Sequence, residues 1–185
     1  MGTLPRASLF RDRNWEEVMA DDYTDAIALL KADHRKVENL FATYENARGS
    51  ERKRKLAEEI CNELKIHTLI EEEIFYPALK GKIEAEVLEE AYVEHDGAKV
   101  LINDIVAGSP DEEFYDAKVK VLQEQIEHHV KEEERPAEGM FAQARAADVD
   151  LVALRDAMLT RKQALMAQAE AGGLPPARPS VVEPA

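Results

Sequence analysis

Apolar residues recur every three or four positions along four separate stretches of the chain, with polar residues between them. The first stretch starts near Thr24, and its inward positions are Ile27, Leu30, His34, Val37, Phe41 and Tyr44. Alternating steps of three and four residues place these side chains on one face of an α-helix. Gly49-Ser50 is expected to end this helix, with Ser50 capping the next one.

The second stretch predicts a helix from about Glu51 to Leu79, with Pro77 in a bent last turn and Gly81 beyond it. Its apolar row is formed by Leu56, Ile60, Ile70 and Ile74. His67 and Glu71 lie on that row, and because they are four residues apart they share one helix face.

The third and fourth stretches repeat the pattern. The inward positions of one helix are called its seam. The third seam is Leu88, Ala91, His95, Ala98, Ile102 and Ile105, and the helix is expected to end at Gly108-Ser109-Pro110. The fourth follows Asp111 and contains Tyr115, Val119, Leu122, Ile126, His129 and Glu133. Short loops between long amphipathic helices favour neighbours that run antiparallel. We therefore predict an all-α, up-down-up-down four-helix bundle over residues 23–146.

Three further segments lie outside this bundle. Residues 1–22 have no hydrophobic period and are interpreted as an N-terminal arm. Residues 147–171 are expected to form an additional C-terminal helix with a narrow stripe of Leu151, Leu154, Met158 and Leu165. Residues 172–185 contain four prolines and are expected to be a disordered tail.

Each of the four seams contains one histidine, the four being His34, His67, His95 and His129. In an antiparallel hairpin, residues equally far from the turn lie at the same height. The second and third histidines are each 14 residues from Gly81, and the first and second are 15 and 18 residues from Gly49. The third hairpin fits less well, with 14 residues before Ser109 and 20 after it. A late start of the fourth helix would absorb this difference of about 9 Å.

Imidazoles and carboxylates on a buried helix face are costly unless something satisfies them. Glu71 and Glu133 each follow a seam histidine by four residues, so a metal ion held by mixed imidazole and carboxylate ligands is expected. Such ligands suit iron, and manganese or zinc less specifically. A single buried histidine is more often hydrogen-bonded in a core, and it is the conjunction of four seams that favours metal. His128 lies off the seam, and the acids expected to be solvated are Glu72, Glu73, Glu132 and Glu134.

Composition narrows the classes of function. The 38 acidic and 24 basic residues give a formal charge of -14, which argues against nucleic acid or an anionic membrane as partner. The sequence contains no apolar run of about 18 residues, so no transmembrane helix is expected. The single Cys61 excludes an internal disulfide, is expected to pack as a small hydrophobe, and fits a cytoplasmic location.

Several segments together resemble the hemerythrin-like, or HHE cation-binding, family between about Asp25 and Arg145. They are Lys31-Ala-Asp-His34, His67-Thr-Leu-Ile-Glu71 with the run to Pro77, Glu94-His95, and His128-His129-Val-Lys-Glu-Glu133-Glu. The resemblance implies two non-haem iron ions bridged by two carboxylates and an oxo or hydroxo oxygen from solvent. By position it assigns His34 and His67 to one iron and His95 and His129 to the other, with Glu71 and Glu133 bridging.

The chain departs from the oxygen-carrying members at two places. Lys99 stands where those carriers have a further histidine, and Glu133 follows His129 by four residues where they use five. Both departures weigh against reversible oxygen carriage. Tyr92, three residues before His95, is a candidate phenol ligand, with ordinary packing as the alternative.

The function expected from the resemblance is a di-iron protein that binds oxygen, peroxide or nitric oxide in sensing, storage or protection. Whether it also decomposes peroxide, as a catalase-like enzyme, stays open. The alternative is a metal-dependent structural or regulatory module that acts through a protein partner, and the fifth helix leaves room for a homodimer. Neither the ferritin-like Glu-x-x-His pattern, nor His-Glu-x-x-His, nor a glycine-rich phosphate loop occurs in the sequence.

Overall fold

The computed structural model describes residues 23–182, and the predicted N-terminal arm, residues 1–22, lies outside them. The helices are α1 (Ala26–Glu45), α2 (Ser50–Ile70), α3 (Tyr76–Leu79), α4 (Ala85–Ala107), α5 (Tyr115–Glu133), α6 (Met140–Ala146) and α7 (Leu151–Gly172). A π-helical turn, Glu71–Phe75, joins α2 to α3. No strand occurs within this described range, which confirms the all-α prediction. None of its helices has the length and apolar character needed to cross a bilayer.

The four long helices α1, α2, α4 and α5 form the bundle. Helix α1 packs against α2 and α5, and α4 packs against the same two helices. The core consists of two apolar clusters, one containing Leu30 and Ile70 and the other Val37 and Leu64. The boundary between the clusters falls at the seam histidines of α1, α2 and α4. A polar layer therefore crosses an otherwise apolar interior.

The helix ends differ in detail from the sequence prediction. Gly49, with a φ of 83°, precedes α2, and Ser50 is its first residue rather than its cap. The Ser50 hydroxyl instead donates to a carboxylate oxygen of Asp111. Helix α5 starts late, at Tyr115, so the long loop after α4 absorbs the height mismatch of the third hairpin.

Two helices follow the bundle. The short α6, which the sequence pattern did not indicate, buries Met140, Phe141 and Ala144 against the end of the bundle. Gly139 precedes it, and a Cβ there would lie 2.6 Å from the carbonyl oxygens of Glu132 and Glu133, so only glycine fits this approach. Helix α7 packs back onto α1 and α2, with Met158 and Leu165 of the predicted stripe buried.

The Pro-rich tail differs from the expected disorder, because residues 173–182 lie along α4. The chain turns at Gly173, whose φ is 85°. The Asn103 side chain exchanges two hydrogen bonds of 2.8 Å with the backbone of Ala177. The backbone N–H groups of Ser180, Val181 and Val182 donate to the Asp96 carboxylate at 2.7–2.8 Å. Polar side chains of α4, rather than an apolar stripe, hold this segment.

Candidate metal centre

The four seam histidines meet as two pairs in the interior of the bundle. The Nε2 atoms of His34 and His67 are 3.2 Å apart, and those of His95 and His129 are 3.1 Å apart. All four histidines are buried, with at most 5% of each residue exposed. The structure therefore brings together imidazoles from four different helices.

Two carboxylates lie between the pairs. Glu71 Oε2 is 3.1 Å from His67 Nε2 and 3.3 Å from His95 Nε2. Glu133 lies 3.4 Å from His34 Nε2 and 3.7 Å from His129 Nε2 through its two oxygens. Each glutamate thus spans from one histidine pair to the other, and all six candidate site residues form one cluster.

Each histidine also has a carboxylate behind it, at Nδ1. Glu134 accepts from His34 at 2.8 Å, Glu72 from His95 at 2.9 Å and Glu94 from His129 at 2.7 Å. Asp33 lies 3.7 Å from Nδ1 of His67. The three hydrogen-bonded acids fix the proton on Nδ1 of their histidines and leave the Nε2 lone pair pointing inward. At His67 the Asp33 carboxylate is a nearby charge rather than a hydrogen-bond partner.

The four acids behind the histidines, Asp33, Glu72, Glu94 and Glu134, are called the outer acids. Glu72 and Glu134 were expected to be solvated, and that expectation is wrong because both accept hydrogen bonds from histidines of the cluster. Glu73, by contrast, is exposed and pairs with Arg161, and Glu132 pairs with Arg135 near the surface. A signal for the outer set was present in the sequence. Each outer acid is the chain neighbour of an inner residue, in the pairs Asp33-His34, Glu71-Glu72, Glu94-His95 and Glu133-Glu134. A neighbour is turned by about 100° on the helix, which aims it at the back of an imidazole on an adjacent helix.

The donor set fits metal ions. Lone pairs of two Nε2 atoms facing each other at about 3 Å repel unless a cation or proton lies between them. Ligands on one ion with metal–nitrogen bonds of about 2.1 Å sit at roughly this separation. Among the described residues, the buried Glu71 Oε1 and Glu133 Oε2 have no hydrogen-bond partner, which is costly for a carboxylate in a bundle interior. Two sets of atoms could hold an ion, one at His34, His67, Glu71 and Glu133 and one at Glu71, His95 and His129.

The electrostatics of the cluster without metal agree with this reading. Burial lowers the pKa of His67, but the charges of Glu71 and Asp33 outweigh it and raise that pKa to about 10. Burial likewise opposes the charge on His95, and Glu71 and Glu72 raise its pKa to about 9. The same contacts hold the pKa of Glu71 well below its usual range despite burial. At His67 and His95 protons therefore occupy the places that a metal would take, and the metal must displace them.

Tyr76 joins the cluster, and the sequence reasoning missed it. Its hydroxyl donates to Glu133 Oε1 at 3.1 Å and lies 3.4 Å from Glu71 Oε2 and 3.2 Å from His95 Nε2. In an α-helix a residue five positions after Glu71 points about 140° away from it. The π-helical turn brings Tyr76 onto the face of Glu71, through the bond from its N–H to the Glu71 carbonyl.

The other residues singled out from the sequence lie outside this inner cluster. Tyr92 packs edge-on against Tyr76, with ring centroids 5.2 Å apart, so Tyr76 takes the place expected for its phenol. Lys99 is buried and binds Glu72 and Asp96, which braces the acid behind His95. The His128 side chain is 59% exposed, as expected. Cys61 is buried among apolar side chains, and burial raises its pKa to about 12.

The two histidine pairs differ in what surrounds them. The ring of His34 is stacked under Phe141, with centroids 5.7 Å apart and an interplanar angle of 11°. His129 and Glu133 instead line a cavity of about 330 Å³. The acidic residues around that cavity are Glu84, Glu86, Glu90, Glu94, Glu132 and Glu138.

The fold and the cluster together define a helical bundle whose buried histidine and carboxylate side chains could hold metal ions. The model of the hemerythrin HHE cation-binding domain matches residues 25–141, and the chain belongs to that family. The fold is also that of a solved protein from Mycobacterium kansasii that contains a hemerythrin HHE cation-binding domain. The two structures agree with a TM-score of 0.67 and 24% identity, over 82% of this chain and 95% of that one.

A protein named as a DNA nickase, from Nostoc sp. (strain PCC 7120), is 27% identical to this chain over 106 residues. The matched part is 57% of this chain but only 30% of that protein. The chain therefore spans less than a third of the length of this relative.

Proposed function

We propose that the chain is a non-haem di-iron protein whose centre binds a small oxidant, namely oxygen, peroxide or nitric oxide, in a sensing, storage or protective role. The observation that carries the proposal is the pair of carboxylates, Glu71 and Glu133, each lying between two buried imidazole pairs. Imidazole and carboxylate donors suit iron. The location we propose is the cytoplasm, in keeping with the single cysteine.

The residues divide between two ions. His34 and His67 would hold the first ion, and His95 and His129 the second, with the two glutamates shared. The Tyr76 hydroxyl lies on the side of the second pair, 3.2 Å from His95 Nε2. When bound, the irons would supply one-electron redox steps and open positions for a diatomic or peroxide ligand.

The chain's own contribution is orientation, proton supply and exclusion of water. Glu134, Glu72 and Glu94 orient the imidazoles of His34, His95 and His129 with their Nε2 atoms inward. Burial, together with the charge of Glu133, raises the pKa of Tyr76, so its hydroxyl keeps a proton to donate to a ligand on that side. The two apolar clusters above and below the layer limit access by other routes.

The glutamate-lined cavity supports the choice among small ligands. Its acidic walls would raise the local concentration of cations and repel anions. Neutral oxygen, hydrogen peroxide and nitric oxide are not repelled. Superoxide, azide and nitrite would be disfavoured. This charge pattern also gives Fe²⁺ a path to the centre.

Peroxide decomposition is the enzymatic form of the proposal. It is favoured over oxygen carriage by Lys99, which binds Glu72 and Asp96 where the carriers place a histidine. DNA nicking is not proposed for this chain. A formal charge of -14 opposes the phosphate contacts that DNA binding needs.

The test is metal analysis of protein purified aerobically after iron is supplied, followed by addition of hydrogen peroxide. We expect about two irons per chain and the near-ultraviolet absorption of an oxygen-bridged iron pair. An oxygen electrode then records whether peroxide is decomposed faster than by the same amount of free iron. Protein that takes up only zinc, or no metal, would refute the di-iron proposal. A rate no better than free iron would reject the enzymatic form alone.

A further inference from the structure

A second cavity, of about 540 Å³, lies between α2, α4 and the tail. None of the six inner histidines and glutamates of the metal centre lines it. Residues 174–180 form one wall, and Lys65, Thr68 and Leu69 of α2 form part of the opposite one. Its volume is in the range of small-molecule sites in proteins. This cavity is called the tail cavity below.

Two buried lysines line the tail cavity, and they differ in their partners. Lys99 is 3% exposed, and its ammonium binds Glu72, Asp96 and the hydroxyl of Ser180 at 2.7–2.9 Å. Lys65 is 5% exposed, yet its ammonium has no ion pair or hydrogen bond with any residue in 23–182. Because Lys65 lines the cavity, an anion bound there would give its ammonium an ionic partner.

The opposite wall adds a second positive charge. Arg178, on the tail, also lines the cavity and has no carboxylate partner among the described residues. The two acids of the lining are already engaged, Glu72 by His95 and Lys99, and Glu73 by Arg161. The tail cavity therefore presents uncompensated positive charge in a chain whose formal charge is -14.

The rest of the lining is largely apolar. It includes Leu69 of α2, Tyr92 of α4, and Leu174, Pro175 and Pro176 of the tail. Burial of an apolar ligand group against such walls lowers the free energy of the complex, and a few charged side chains fix the orientation of the ligand. The combination suits a molecule with one acidic group on an aliphatic or aromatic body.

We propose that the tail cavity is a binding site for a small organic monocarboxylate, held by the Lys65 ammonium and Arg178 and covered by the tail. The tail is positioned for this by Asp96 and Asn103, which hold its backbone at Ser180–Val182 and Ala177. Its prolines restrict the free chain, so docking costs less entropy. The site is separate from the di-iron centre, although Glu72 contacts both.

The test is calorimetric titration of the full-length protein with octanoate, and with octan-1-ol and octylamine as probes of equal length. We expect saturable binding of one octanoate per chain. The alcohol should bind at least tenfold more weakly and the amine should not bind, because the ammonium needs an anion. Octan-1-ol binding as tightly as octanoate would overturn the proposal, as would no octanoate binding at millimolar concentration.

Two variants locate the site. Lys65→Met keeps the volume and the apolar stem and should weaken octanoate binding at least tenfold, whereas Lys80→Met, at an exposed lysine outside the cavity, should not change it. Removal of residues 174–185 should weaken binding by a similar factor. Metal content is measured on each variant, so a failure at the tail cavity is distinguished from a failure of the di-iron centre. Equal affinity in Lys65→Met and wild type would refute the assignment.

Discussion

The two halves of the metal centre contain the same inner donors but lie in different surroundings. The first half, His34 and His67, is closed by Phe141 and by α7, whose Lys162 forms an ion pair with Asp33. The second half, His95 and His129, has the Tyr76 hydroxyl beside it and borders the glutamate-lined cavity. Identical ligand types therefore do not imply identical roles.

From this difference we infer that the two halves have different functions. Under the proposed function we expect the closed half to retain its ion, because packed side chains cover it on the outside. The open half is where a small molecule can arrive, and it has the hydrogen-bond donor. Substitutions in the shared carboxylates should affect both halves, and substitutions beside one pair should affect that half more strongly.

Glu71→Ala should have the largest effect, since this carboxylate lies between the two halves. We expect metal content to fall from about two ions per chain to near zero, measured by elemental analysis after desalting. His128→Ala is the control, because its ring is exposed and outside the cluster, and it should keep both ions. Retention of one ion by Glu71→Ala would show that the halves bind metal independently.

Removing the metal by chelation should lower the free energy of unfolding by about 4 kcal/mol for each ion removed, at a free metal concentration near a thousand times the dissociation constant. For a chain of this size that corresponds to roughly a 10 °C fall in the melting temperature. The reason is that the buried carboxylates and imidazoles lose the cation that compensates them. Thermal melts followed by circular dichroism measure it, with metal added back as the control. An unchanged melting temperature would contradict a structural contribution from the metal.

The sequence was sufficient to predict the inner cluster but not what surrounds it. The heptad period determines which residue of each helix faces inward, and counting from the turns determines its height. Neither argument depends on side-chain detail, so the six inner residues emerged from the pattern. Tyr76 did not, because a π-helical turn changes the period between Glu71 and the residues after it.

The outer acids and the tail were missed for a different physical reason. Glu72 and Glu94 act on imidazoles of adjacent helices, and the period of one helix does not indicate which groups lie across an interface. The tail has no hydrophobic period, and it is held by Asp96 and Asn103 through backbone hydrogen bonds. Because these contacts use the backbone of the tail, they require no alternation of apolar and polar residues in its sequence.

Tyr76→Phe should affect the open half more than the closed half. The variant loses the hydroxyl beside His95 and leaves Glu133 Oε1 without its donor, so we expect at least a tenfold weaker hold on one of the two ions. Competition with a chelator, with iron content measured at each concentration, resolves the two ions. Tyr92→Phe is the matched control, since its ring packs against Tyr76. Equal weakening of both ions would mean that the phenol serves the centre as a whole.

Glu94→Gln and Glu134→Gln form a matched pair, one behind each half. Their side chains are 21% and 18% exposed, and each accepts from a histidine Nδ1 at 2.7 or 2.8 Å. Loss of such a partner typically weakens metal binding about tenfold or more. We expect the open-half ion to weaken in Glu94→Gln and the closed-half ion to weaken less in Glu134→Gln, because Phe141 still packs on His34. The same chelator competition measures both, and a larger loss in Glu134→Gln would reverse the comparison.

The smallest expected effect is on the rate of iron uptake, and it comes from glutamates that line the cavity beside the open half. Glu86→Gln combined with Glu90→Gln removes two charges from the glutamate-lined cavity while leaving every contact of the centre unchanged. These two glutamates attract cations only through their electrostatic field, which salt screens. Fe²⁺ uptake should therefore slow by about two- to threefold at low ionic strength and hardly at all in 0.5 M salt. Stopped-flow uptake of Fe²⁺ measures the rate, and Glu112→Gln with Glu113→Gln, an acidic pair in the loop before α5, controls for net charge. If both double variants slow uptake equally, iron does not enter through this cavity, and the open half is then distinguished by Tyr76 rather than by access.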